Sequence, residues 1–117
     1  MKYDLEERTL SFARGINMFI KKLSKTTANV EYFAQLLRSS GSVGANYIEA
    51  NEAISKKDFI LRIKIAKKEA KESYFWLNLL DVENHYEQDR DLLMKESLEL
   101  TKILGAILIK SLKYPRF

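Results

Sequence analysis

The sequence predicts an all-α fold, an antiparallel up-down-up-down four-helix bundle, and three observations predict it. Apolar residues recur at three- and four-residue spacing through four long segments. No segment alternates with the period of two that a half-buried strand requires. Four glycines and one proline in 117 residues leave few places to turn, so the elements must be long. A chain of this length suits one core, and residues 1–117 are expected to form a single domain.

The first helix is expected at about residues 5–24, opened by Asp4 with Glu7 as a capping pair and carrying Phe12, Ile16, Phe19, Ile20 and Leu23 on one face. "SKTT" follows as a connection in which Thr26 and Thr27 are better caps than interior residues. The second helix, about 28–54, keeps its phase through Val30, Phe33, Leu37, Gly41, Gly44 and Ile48, so "RSSGSVGANYIEANE" reads as helix and not as a loop. Each interior glycine costs about 1 kcal/mol relative to alanine, which calls for a close helix approach as compensation. Ser55, with Asp58 three residues on, opens the third helix at about 56–80, whose face is Phe59, Ile63, Ala66, Ala70 and Leu77. The polar "DVENHYEQDRD" connects it to the fourth, about 89–112, with Leu93, Leu100, Ile103, Leu104 and Ile107 and a stop before Pro115.

The second helix carries more apolar surface than one small bundle needs. Val30, Phe33, Leu37, Gly41, Gly44 and Ile48 can supply the core, while Leu36, Val43, Tyr47, Ala50 and Ile54 form a second row. That second row is expected to meet another subunit; the alternative is a central helix with aliphatic residues scattered outside. Between the rows runs a polar stripe of Arg38, Ser42, Asn46 and Glu49, with Arg62, Glu69 and Glu72 on the third helix as candidate partners. Arg38, Gly41, Val43, Gly44, Asn46, Tyr47 and Glu49 are thus the expected oligomer or packing seam.

Chemistry is expected to be absent. With no cysteine there is no disulfide, thiolate metal site or cysteine nucleophile. "GSVG" lacks the preceding strand and the Gly-Lys-Ser/Thr ending of a phosphate loop. Glu49, Glu52, Glu69 and Glu72 have no histidine at Glu-x-x-His spacing for a di-iron bundle, and the single His85 falls in a connection. No catalytic residue, metal or cofactor is expected. The N-terminal "MKYDLEERTLSFARG" carries acids where a secretory signal needs an apolar run, and no stretch of about 18 apolar residues occurs, which points to a cytoplasmic protein without membrane contact.

The formal charge of +4, from 20 basic and 16 acidic residues, permits nucleic-acid binding without demonstrating it. Lys57, Lys64, Lys67, Lys68 and Lys71 share one side of the third helix, and Phe75 continues their row. Such a stripe can follow a phosphate backbone, with Lys21 and Lys22 as additions; the alternative is an ordinary solvated face.

"LRSSGSVGANYIEANEA", followed by "SKKDFILRIKIAKKEAKESYFWLNLL", resembles the four-helix-bundle family named after the protein encoded in intervening sequences of bacterial 23S ribosomal RNA. The resemblance covers most of the chain and is strongest from Leu36 to Leu80, where the Arg-Ser-Ser, Ala-Asn, Glu-Ala and Lys-Glu-Ala elements match in order and spacing. It implies a homopentameric, barrel-like ring with a basic surface. The family also includes the accessory variability protein of diversity-generating retroelements, which implies two partners, structured RNA or an RNA–DNA hybrid and a reverse transcriptase. It implies no catalytic activity.

Overall fold

Two hydroxyls start two of the helices. Thr26 Oγ1 accepts the backbone N–H of Asn29 at 3.1 Å, and Ser55 Oγ accepts that of Asp58 at 3.1 Å. Each satisfies an amide that the first helical turn leaves without an internal partner, and each flanking residue is extended, as an N-cap must be. The computed structural model describes residues 2–113, with side chains from Leu5 onward. Its elements are α1 (Lys2–Ile20), α2 (Thr27–Asn51), α3 (Lys56–Leu79), a single 3-10 turn (Asn84–Tyr86) and α4 (Glu87–Lys113). No strand occurs among the described residues.

The ends differ from expectation by a few residues, and the backbone shows why. α1 stops at Ile20 because Lys22 N–H and Leu23 N–H bond three residues back, to Phe19 O and Ile20 O, which tightens the last turn. α2 stops at Asn51 in the same way, with Ala53 N–H on Ala50 O, and Ile54 is left almost fully exposed. α4 begins earlier than expected, because the 3-10 turn at Asn84–Tyr86 leads directly into it. α1 starts at Lys2, earlier than expected, so Asp4 lies within the helix and not at its cap. The stop expected at Pro115 lies outside the described residues.

Side-chain pairs give the directions. Glu6 with Asn51 and Thr9 with Gly44 run α1 against α2; Asn46 with Arg62 and Ser39 with Ser73 run α2 against α3; Arg8 with Glu96 and Lys22 with Asp89 run α1 against α4. Neighbours are therefore antiparallel, and α1 and α3 sit on a diagonal. The core comprises Phe12, Ile16 and Phe19 of α1, Leu36, Val43 and Tyr47 of α2, Phe59, Ile63 and Leu77 of α3, and Leu100 and Leu104 of α4. Each such side chain contributes about 1.5–3 kcal/mol by leaving water.

On α2 most residues of the two expected faces exchange places, although Phe33 packs partly against the core and Gly44 against Thr9, as expected, and Ile54 stays exposed. Leu36, Val43, Tyr47 and Ala50, expected to meet another subunit, are buried inside the chain, whereas Val30, Leu37 and Ile48, expected in the core, are 48, 41 and 47% exposed. The reason lies in Ser39 and Ser40, both fully buried beside Leu36 and Val43. Their hydroxyls reach back to Leu36 O and Leu37 O, and Ser39 also meets Ser73 of α3 at 2.8 Å. Satisfied in this way, a hydroxyl is cheap to bury and lets α3 come close. The true inward face thus reads as partly polar, while glycine, alanine and valine make the outward face read as apolar.

Asn29 closes one end of the bundle. Fully buried, it donates from Nδ2 to Ser24 O at 2.9 Å and to Asp81 O at 3.0 Å, and accepts Asp81 N–H on Oδ1 at 2.8 Å. One amide therefore ties the α1–α2 connection to the chain that leaves α3. At the side of the bundle, Arg8 grips Glu96 with two bonds of 2.7 and 2.8 Å. The hydrogen bond to Glu96 holds the Arg8 guanidinium above its ordinary value, against a smaller opposing effect of burial.

Candidate nucleic-acid interface

α3 divides its charges by sign. Glu69 and Glu72 turn toward α2, where Arg38 meets them at 3.5 and 3.3 Å. This is the cross-helix pairing that the polar stripe predicts, and Asn46 completes it by accepting from Arg62 at 3.2 Å while donating to Ser42 O. Asp58 lies 3.9 Å from Arg62 one turn away. The acids of the helix are thus occupied on one side. Lys57, Lys64, Lys68 and Lys71 remain exposed on another, and neither they nor Lys67 form an ion pair with a described residue.

Lys67 differs from the other four. It is half-buried, because its stem crosses α4 at Gly105, where a Cβ would lie 3.5 Å from Lys67 Cε. The Lys67 stem thus lies against α4 at Gly105, which covers part of its aliphatic length. Three residues back along α4, Lys102 is 77% exposed and lies 3.8 Å from Glu99. The sequence alone does not show the Lys67–Gly105 crossing, since it joins residues far apart in the chain.

Lys21 and Lys22 are not brought to this row. They follow the end of α1, the helix on the diagonal from α3, and Lys22 is taken up by Asp89 at 3.4 Å and by the face of Tyr86 at 5.8 Å. Of the expected seam, Val43 and Tyr47 are core, Gly44 packs on Thr9, Arg38 and Asn46 bridge to α3, and Gly41 and Glu49 lie on the surface. His85 is exposed and lies tilted against the Tyr86 ring, centroids 4.0 Å apart. No group of three His, Asp or Glu able to hold a metal occurs among the described residues, and no described helix is long and apolar enough to cross a membrane.

A second surface differs in kind. Val30, Ala34, Leu37, Gly41, Ala45 and Ile48 form an exposed stripe along α2 without a charge in it. Nothing lies within 4 Å of the position a Cβ would take at Gly41, so this glycine is open to a neighbour from outside.

Comparison with known proteins agrees with the fold. The family model of the 23S rRNA-intervening sequence protein matches residues 1–106. No curated protein matches the chain. Among solved structures, a protein of unknown function from the S23 ribosomal protein family, from Bacteroides thetaiotaomicron, is 34% identical with a TM-score of 0.80, the match covering 92% of this chain and 98% of that one.

Proposed function

The chain belongs to the 23S rRNA-intervening sequence protein family, and from that premise we propose that it is a non-enzymatic, oligomeric nucleic-acid-binding protein of the cytoplasm. It contacts structured RNA or an RNA–DNA hybrid mainly at the phosphate backbone. The observation that carries this reading is the segregation on α3: its carboxylates are neutralised by Arg38 toward α2, while Lys57, Lys64, Lys68 and Lys71 face outward with no described acid of their own chain to neutralise them. Lysines held this way recognise a polyanion by charge and position, and release counterions on binding.

The uncharged stripe on α2 supports self-association, and the ring implied by the family resemblance is a homopentamer. Several copies of a weak lysine row on one ring raise affinity by effective concentration, with no new contact required. Solution mass from light scattering tests the assembly; a monomer at micromolar concentration overturns it.

Replacing Lys64, Lys67, Lys68 and Lys71 by alanine tests the binding surface. Affinity for a hairpin RNA is expected to fall at least about tenfold, and the slope of log K against log salt to become shallower by roughly 0.9 for each phosphate no longer neutralised. Unchanged affinity and slope overturn the nucleic-acid reading. The family's other role, a scaffold for a reverse transcriptase, then takes its place, and pull-down of that enzyme at high salt tests it.

A further inference from the structure

The lysine row ends on an aromatic ring that the fold displays instead of burying. Phe75 is 56% exposed, one turn beyond Lys71 and two beyond Lys68 on the same line of α3. Lys64, Lys68, Lys71 and Phe75 span about 16 Å of helix axis. The ring is held from behind: Phe75 meets Trp76 edge-on, with centroids 5.2 Å apart and planes at 76°, and Trp76 is backed by Tyr32 of α2 at 6.1 Å. An edge-to-face contact fixes orientation and leaves a face free. Leu79, 41% exposed, extends the apolar ledge by one further turn.

Resting on the nucleic-acid reading above, we propose that Phe75 is a base-stacking platform, so that the preferred ligand is an unpaired stretch of nucleic acid whose backbone lies along Lys64, Lys68 and Lys71. A base inside a duplex is already stacked on both faces and gains nothing from the ring, whereas an unpaired base exchanges water for an aromatic face. Backbone charge alone does not distinguish the two. A second copy of this chain is disfavoured at the same position, because the lysines that flank the ring repel a like surface, while α2 offers an uncharged stripe for self-contact.

Trp76 is the only tryptophan and touches Phe75, so its fluorescence reports on the platform directly. The assembled full chain is titrated with a uridine oligonucleotide of about 12 nucleotides and with a blunt RNA duplex of equal length. The oligonucleotide is expected to change Trp76 emission and the duplex to leave it unaltered. Phe75→Ala and Phe75→Leu are expected to weaken oligonucleotide binding about 5- to 100-fold, with duplex affinity, salt slope, melting temperature and solution mass unchanged. Phe75→Tyr is expected to retain binding. The lysine variant, by contrast, loses both ligands. Equal loss for oligonucleotide and duplex in Phe75→Ala, or no loss for either, overturns the platform while the charge-based reading stands. A changed solution mass overturns it too, by assigning the ring to assembly. Failure of the wild-type chain to bind either ligand overturns both proposals.

Discussion

Gly41 and Gly44 lie three residues apart on one helix and meet opposite surroundings. At Gly44 a Cβ would stand 2.9 Å from Thr9 Oγ1 and 3.2 Å from Thr9 Cβ, closer than real atoms sit. Thr9 is itself buried, its hydroxyl engaged by Glu6 O at 2.9 Å, so it has little room to give way. At Gly41 the same atom would meet nothing within 4 Å. One glycine is therefore a condition for α1 to approach α2, while the other belongs to an outward face and costs the isolated chain helix stability with no internal return. The difference teaches that a small residue in a helix identifies a close approach only when its partner is known. Here that partner is α1 for Gly44 and, under the assembly proposed above, another subunit for Gly41.

The sharpest way to break this contrast is Gly44→Leu. It drives a side chain into the buried Thr9 side chain and is expected to cost about 3 kcal/mol or more, read as a lowered midpoint in urea unfolding. A variant as stable as the parent would show that α1 is not tightly seated. Gly41→Leu is expected to leave the monomeric form no less stable than the parent, with a helix-propensity gain below about 1 kcal/mol, yet reduce the solution mass toward the monomer. Retention of the full mass would place the interface elsewhere. Gly41→Ala is opposite in sign to Gly44→Leu, because it adds helix propensity at a position where a Cβ meets nothing within 4 Å among the described residues. It is expected to raise stability by about 0.5–1 kcal/mol, measured by calorimetry on the monomeric form.

Smallest is Arg38→Ala, at the border between the outward stripe and α3. Arg38 is half-exposed and its bond to Glu72 is a surface pair, so the expected loss lies within about 1 kcal/mol even though Glu69 beneath it is nearly buried. A loss well beyond that would mean that Arg38 anchors α2 to α3 as firmly as the Ser39–Ser73 contact does.

The lysine row and its partners show how far sequence carries the candidate site. That Lys57, Lys64, Lys68 and Lys71 share one side of a helix follows from 100° per residue alone, and the same arithmetic places Phe75 with them. The fate of Lys67, Lys21 and Lys22 does not follow. It depends on Gly105 lying under the Lys67 stem and on Asp89 and Tyr86 meeting Lys22, and these partners are far away in the chain. Asn29 is a stronger instance. Its sequence neighbourhood marks it only as the third residue after a cap, and nothing local indicates that its amide binds the backbone at Asp81.

By itself the sequence determined the number of helices, the hydroxyls that begin α2 and α3, and the inward faces of α1 and α3, where Phe12, Ile16, Phe19, Phe59, Ile63 and Leu77 are buried as their period predicts. These are local properties: a cap needs a hydroxyl within one turn, and a period of 3.6 is visible in a single segment. Only the tertiary structure decided which of two apolar rows on α2 faces in. Hydrophobicity ranked them wrongly because burial depends on what meets a side chain as well as on what it is. Ser39 and Ser40 enter the core because carbonyls one turn back and Ser73 satisfy them, and Val30, Leu37 and Ile48 stay outside because no described element of the chain covers them.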